Sequence, residues 1–200
     1  MSTSEKGGYH HGDLRATLLT TAMGMLENGE RFSLRAVARA AGVSPTAPYR
    51  HFKDRESLES ALAVEGFRDL LAELTAGREL PSSTADLAEF AVGYVAFALR
   101  RPALFRLMFG HECDGSNDER VTAAAALNDL LTAALHNVVP GADASALAYA
   151  GWGLAHGLAC LHLDGKLSTS SPDEVAERVR GAFMAIAAAQ PIPPPRAGQC

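Results

Sequence analysis

Two hundred residues are enough for one or two small domains with a real core, and 48% hydrophobic against 20% charged residues is the balance of a folded globular chain. Three cysteines, at 113, 160 and 200, show no paired spacing, which argues against a disulfide framework. The net charge of −5 is uneven: residues 1–56 hold eight Lys/Arg against six Asp/Glu, and residues 57–200 hold ten against seventeen. Within 31–55 the cations Arg31, Arg35, Arg39, Arg50, Lys53 and Arg55 face a single acid, Asp54. A basic module on an acidic body suits a polyanion-binding head, although an ordinary solvated surface has the same composition.

The opening "MSTSEKGGYHHGDLR" lacks the apolar core of a secretory signal, so a cytoplasmic protein is expected. The chain then reads as all-α, about nine helices, with no alternating strand pattern. The first helix is expected over Gly12 to Asn28, with Leu14, Leu18, Ala22, Met25 and Leu26 on one face and Gly29 as its stop. Ser33 can cap a short second helix with Leu34, Val37, Ala38 and Ala41 inside, and Gly42 supplies a left-handed turn. A third short helix starts at Ser44, and a long fourth runs from Asp54 to Ala76.

The stretch "RELPSSTAD" (78–86) is a linker or tight loop, followed by a fifth helix over Thr84 to Leu99 and a sixth over Pro102 to Phe109. "HECDGSNDE" is a polar loop, and the seventh helix spans Glu119 to Val138. "PGAD" (140–143) breaks it and caps the eighth, Ala144 to Leu163; "DGKLSTSSP" leads into the ninth, Asp173 to Ala189. The tail 191–200 has the composition of a disordered end. The eighth helix is uncharged and about long enough to span a bilayer. Its apolar content is mostly alanine, interrupted by three glycines, two histidines, a serine and a tyrosine, so burial inside the protein is expected and a membrane partner is not.

The segment "VSPTAPYRHF" (43–52) places two prolines where helix continues on both sides. With Ser44 as N-cap, Pro45 falls at the first helical position, where a missing N–H is harmless, and Pro48 forfeits one bond to the cap carbonyl. Both stiffen a two-turn helix that would be marginal alone. A short rigid helix after a helix and a glycine turn is a helix-turn-helix, whose second helix presents its N-terminal residues to base edges in the major groove. Those residues would be Ser44, Pro45, Thr46 and Ala47. Tyr49, His51 and Lys53 could hold phosphates, Arg50 could do either, Ser33 with the free amides at the start of the preceding helix would add a second phosphate anchor, and Arg35 is a further DNA-binding candidate. Phe52 is expected to pack inward.

These residues carry a resemblance. "FSLRAVARAAGVSPTAPYRHFKDRESLESAL" (32–62) resembles the DNA-binding signature of the TetR family of bacterial transcriptional regulators, including the Tyr-x-His-Phe exit and the following Lys. "YVAFALRRPALFRLMF" (94–109), "GWGLAHGLACLHLDGKL" (151–167) and "YHHGDLR" (9–15) resemble a subgroup carrying a WHG domain. The resemblance implies an all-helical homodimer that reads a palindromic operator in double-stranded DNA and is released by a small-molecule effector. The expected organisation is a DNA-binding domain over 1–56, an effector-binding and dimerisation domain over 57–190, and the tail.

In the eighth helix Leu147, Gly151, Leu154, Leu158 and Leu161 form one stripe, and Tyr149, Trp152, His156, Cys160 and Leu163 another, so burial on two sides is expected. The ninth helix has the single stripe Val175, Val179, Ala182, Phe183 and Ile186. Two such helices from each subunit could form a four-helix dimer interface. Phe90, Tyr94, Phe97, Phe105, Met108 and Phe109 could line an effector cavity with Trp152 and His156, although a packed core would read the same way. His156 suits a structural hydrogen bond as well as a ligand contact.

His156 with Cys160, and His111 with Cys113, lack the spacing of a metal clip, and no metal or other cofactor is expected. Neither a phosphate-cradling loop, a nucleophile elbow nor a His-Glu-x-x-His motif is present, and the acids Glu112, Asp114, Asp118 and Glu119 fit a solvated loop. An enzyme is therefore not expected. An unselective architectural DNA binder is disfavoured by a body that outweighs the head.

Overall fold

The computed structural model describes residues 14–77, 79–110 and 118–189. Eight α-helices follow one another: α1 Leu14–Glu27, α2 Leu34–Ala40, α3 Arg55–Thr75, α4 Thr84–Arg100, α5 Pro102–Phe109, α6 Asp118–Val138, α7 Ala144–Leu163 and α8 Pro172–Ala188. A single turn of 3-10 helix, Ala47–Arg50, lies between α2 and α3, and there is no strand among the described residues. Residues 9–13 of the YHHGDLR stretch, His111, Cys113 and the tail 191–200 lie outside the described residues.

The local chemistry of these elements is simple. The Ser33 hydroxyl accepts from Ala36 N at 3.2 Å, Asp143 accepts from Ala146 N at 3.0 Å, and Ser171 from Glu174 N at 3.2 Å, so α2, α7 and α8 each start on a capped amide. Pro172 occupies the first position of α8 and Pro102 that of α5. Gly42 has φ +69°, the left-handed turn that separates α2 from the 3-10 turn.

Contacts divide the chain into two compact units. The first holds α1, α2, the 3-10 turn, α3 as far as Asp69, α5 and the start of α6 up to Ala124. Its core is built from Leu18, Val37, Ala38, Phe52, Leu58, Leu62 and Phe67, each nearly or wholly buried. The Phe109 ring stands edge-on to Phe67, with centroids 5.3 Å apart, and Phe105 packs on Phe109 at 4.8 Å. A Cβ on Gly66 would come within 2.7 Å of Met108 Sδ, so the bare backbone is what lets α5 pack this closely on α3. Arg101, at the N-cap of α5, forks between Glu27 of α1 at 2.5 Å and Asp69 of α3 at 2.6 Å. Buried Arg120 donates to the carbonyls of Leu107 and Met108 at 3.1 and 3.0 Å, closing the C-terminal end of α5.

The second unit holds the end of α3, then α4, α6 from residue 125, α7 and α8. Helix α4 is its centre and packs against both α7 and α8. Val95, Phe97 and Ala98 of α4 are fully buried, as are Ala148 and Ala159 of α7 and Val179 of α8. The fully buried line of α7 is therefore alanine, not the leucine stripe read from the sequence, because small side chains let helix backbones come close. Leu147, Tyr149 and Leu161 of α7 are exposed, as are Met184 and Ile186 of α8. The expected two-sided burial of α7, and the inward stripe of α8 beyond Val179, are thus only half present within the chain. No described helix is long and apolar enough to cross a membrane.

Candidate nucleic-acid interface and candidate ligand cavity

In the first unit, α2 and the 3-10 turn pack on each other around Leu34, Val37, Ala38 and the buried ring of Pro48. The expected two-turn helix at 44–51 is shorter and tighter, for a reason that lies in its prolines. Pro48 has no N–H to reach back to the Ser44 carbonyl, so Ala47 N takes that carbonyl at 2.9 Å in an i to i+3 bond. The Pro48 carbonyl then accepts from both His51 N and Phe52 N, each at 2.9 Å. The Ser44 hydroxyl lies 3.0 Å from that of Thr46, fixing the entry to the turn.

Around this scaffold the candidate DNA-binding residues are turned outward. Ser33, Arg35, Ser44, Pro45, Thr46, Arg50, His51 and Lys53 are exposed, Tyr49 is 51% exposed, and Ala47 is half-buried. Phe52 is buried beneath them and carries the Arg15 guanidinium 5.8 Å from its ring centroid. The acid within the cationic segment is engaged locally: the Asp54 carboxylate accepts from Ser57 N at 2.8 Å and so caps α3, and the Ser57 hydroxyl accepts from Asp54 N at 3.1 Å. The Ser57 amide bond, with smaller help from its hydroxyl and from Lys53, holds Asp54 below the usual carboxylate range. Arg55 pairs with Glu59 at 2.7 Å. The outward cations of 31–53 are Arg31, Arg35, Arg39, Arg50 and Lys53.

In the second unit, helices α4, α6, α7 and α8 and the end of α3 surround a cavity of about 590 Å³. Its wall includes Phe90 and Tyr94 of α4, Leu127, Leu131 and Leu135 of α6, Trp152 of α7 and Phe183 of α8. Three of the proposed effector contacts, Phe90, Tyr94 and Trp152, are on that wall. His156 sits outside the wall and bonds through Nδ1 to the Tyr94 hydroxyl at 2.9 Å, and Trp152 Nε1 donates to the same hydroxyl at 3.2 Å. Burial pushes the Tyr94 phenol well above its ordinary value and the His156 imidazole below its own, so both are neutral at physiological pH. Phe97 is core within α4, while Phe105, Met108 and Phe109 belong to α5 in the first unit and are not among the lining residues of the cavity. The aromatic run 90–109 reads as one lining, but helix α4 ends at Arg100 and the chain starts a separate helix. The leucines of α6 stand in an i, i+4, i+8 row, a pattern that marks packed core as readily as a cavity wall. Among the described residues no group of His, Cys, Asp and Glu is arranged to hold a metal ion.

Residues 20–62 match bacterial regulatory proteins of the tetR family, and residues 87–183 match the tetracyclin repressor-like C-terminal domain. The chain belongs to the tetR family. A structure of a protein with unknown function from Rhodococcus sp. RHA1 is 36% identical to this tetR-family chain, with a TM-score of 0.76 over 90% of this chain and 98% of that one. A tetR-family regulatory protein from Rhodococcus RHA1 shares the fold, with a TM-score of 0.65, 21% identity, and coverage of 86% and 95%. The nucleoid occlusion factor SlmA of Haemophilus ducreyi is 30% identical over 124 residues, 61% of this chain and 59% of that protein, so this chain spans somewhat over half of that relative. The match over 20–62 brackets the helix-turn-helix, so the outward face of 33–53 lies in the family's DNA-binding segment.

Proposed function

We propose that this tetR-family protein is a sequence-specific DNA-binding repressor, not an enzyme, that acts in the cytoplasm as a homodimer and leaves its operator when a small molecule fills the cavity of the second unit. The observation that carries this reading is the helix-turn-helix face. Five exposed cations and an exposed tyrosine lie in the same segment, 31–53, as a proline-stiffened turn whose entry residues Ser44, Pro45 and Thr46 are exposed and could meet base edges. Phosphate-directed cations bind any duplex; the polar tip of the turn is what would make the binding selective.

Dimerisation through α7 and α8 is supported by what those helices leave uncovered. Leu147, Tyr149, Leu161, Met184 and Ile186 are 37%, 64%, 43%, 43% and 62% exposed, a concentration of large apolar side chains on two helices of one unit. A two-fold contact through these two helices would cover part of that surface in both copies; Leu147 and Ile186 also reach the cavity wall. Two recognition turns would then be held about 34–36 Å apart, one turn of DNA, and read a palindrome.

Release follows if the cavity prefers a different setting of α3. That helix is continuous from Arg55 to Thr75, contributes Leu58 and Leu62 to the core of the first unit, and brings Leu74 to the cavity wall. A ligand that displaces Leu74 therefore acts on the element that leads to the reading head. A loss of operator affinity of 10- to 100-fold needs only about 1.4–2.8 kcal/mol of coupling. The test is selection of bound DNA from a random pool, followed by shift assays across salt. An enriched palindrome bound at least about 1,000-fold over random duplex is expected; a pool that stays random would end the repressor reading in favour of an unselective architectural binder.

A further inference from the structure

We infer that the cavity takes an electrically neutral, elongated and mostly apolar molecule carrying a hydroxyl or carbonyl group that docks on the Tyr94 phenol; this rests on the second unit being the ligand site proposed above. Three features of the wall lead there. No described Asp, Glu, Lys, Arg or His lines it. A carboxylate or ammonium entering such a space would lose its water without gaining a counter-charge, at a cost of several kcal/mol. Neutral ligands carry no such penalty.

The wall is also long. Along α6 it runs from Leu127 to Val138, and eleven residues of helix rise about 16 Å. The row Leu127, Leu131, Leu135 and Val138 shares the wall with Leu87, Phe90 and Ala91 of α4 and with Leu147 and Leu154 of α7. A wall of that length and composition suits an extended alkyl or other apolar body better than a compact polar one.

Third, the polar groups are gathered. Tyr94 and Trp152 meet at one hydroxyl, while the other wall hydroxyl, that of Thr84, begins the same helix ten residues earlier, about 15 Å along its axis. His156, behind the wall, is a positioning residue. When its Nδ1 accepts the phenol proton, the Tyr94 oxygen presents a lone pair to a ligand hydroxyl. When the other tautomer donates from Nδ1, the phenol proton can turn to a ligand carbonyl. The raised phenol and lowered imidazole keep this pair uncharged through either arrangement.

Trp152 is the sole tryptophan in the sequence and forms part of the wall, so its fluorescence reads occupancy directly. The full-length protein is titrated near pH 7.5 with decanol, decanoate, decylammonium and decane, all below their micellar limits. Decanol should shift Trp152 emission saturably and bind at least about tenfold tighter than decanoate or decylammonium. Tyr94→Phe should weaken decanol about fivefold and leave decane unchanged. Leu131→Lys should reverse the order in favour of decanoate.

Equal binding of decanoate and decanol, or a Tyr94→Phe change that weakens decanol and decane alike, overturns the proposal. So does emission that answers to none of these probes and shifts only with protein concentration, which would mean that a second copy fills the space. Release of selected DNA is scored separately. If decanol binds as expected and the DNA stays bound, the ligand class stands and the release reading falls. If decanoate binds as well as decanol and releases the DNA, the reverse holds.

Discussion

The two units solve opposite surface problems. The first hides the phenylalanine rings Phe32, Phe52 and Phe67 and turns arginine, lysine and hydroxyl groups, the Tyr49 phenol among them, to solvent. The second shields polar groups such as the Tyr94 phenol and His162 and leaves Tyr149, Leu161 and Ile186 uncovered. A head finished in this way can meet a hydrated polyanion, where affinity comes from releasing counterions. A body finished in the opposite way still has apolar surface to bury, both in its cavity and on its outer helices. Hence charge on the head should govern how strongly DNA is held, and apolar contact on the body should govern whether two heads are held together.

The largest expected effect comes from breaking the second half of that contrast. Tyr149→Glu together with Leu161→Glu changes two side chains exposed in the single subunit and absent from the cavity wall, so folding should survive. Sedimentation equilibrium should show a monomer, and affinity for a selected palindrome should fall roughly 100-fold or more because the second half-site is no longer tethered. A double variant that remains dimeric would place the interface elsewhere. Next in size is the head. Tyr49→Ala or Lys53→Ala should weaken binding about tenfold on every sequence and lower the slope of log affinity against log salt by about one per lost phosphate contact. Thr46→Ala should instead change which bases are enriched in a selection.

What could be read from the sequence divides along the same line. The head is local: Ser33, Gly42, the two prolines and the Tyr-x-His-Phe exit lie within twenty-odd residues, and each has its own backbone chemistry. The helix limits followed from Pro102, Pro172, Asp143 and the glycine stops. The 3-10 turn departed from the expected helix by a subtlety of proline donors. The cavity joins α4, α6, α7 and α8, and no period within one helix says which partner it meets. Phe105 and Phe109 therefore read as cavity and pack against α3 in the other unit, while Leu127 and Leu131, for which no role was expected, are on the cavity wall. The Arg101 fork to Glu27 and Asp69 was invisible for the same reason, since its partners lie 74 and 32 residues away.

Smaller effects sharpen the picture of the head. Gly42→Ala meets no atom within 4 Å of the new Cβ, so the cost is that of a left-handed alanine alone, about 1 kcal/mol, read as a lower urea midpoint with unchanged slope. Arg101→Ala should cost a comparable amount or less at low salt. Its partners Glu27 and Asp69 are 37% and 48% exposed, and solvent screens the pair. That loss should shrink in high salt, whereas the Gly42 effect should not.

The smallest expected effect tests whether the polar groups of the body are held neutral. His162 is 3% exposed, and burial first, then the Arg178 guanidinium, push its imidazole below the ordinary value; backbone groups of Leu167 and Ser168 pull the other way. Arg178 Nη1 stands 3.5 Å from Nε2 while donating to the Ser168 carbonyl at 2.9 Å, so a proton gained by His162 would face a cation already engaged on the α7–α8 loop. A depressed folded value means that the unfolded chain holds the proton more tightly. Stability is then level above about pH 7.5, declines as the pH falls through the unfolded imidazole value near 6.5, and levels off once the folded imidazole also protonates. His156, lowered by burial alone, adds to the same slope. His162→Gln removes one titration and keeps a polar side chain, so urea midpoints measured from about pH 8 down to pH 5.5 should decline less steeply than for the unaltered chain. An unchanged slope would mean that His162 opens to solvent before it takes a proton, and that the neutral interior of the body stops short of the α7–α8 loop.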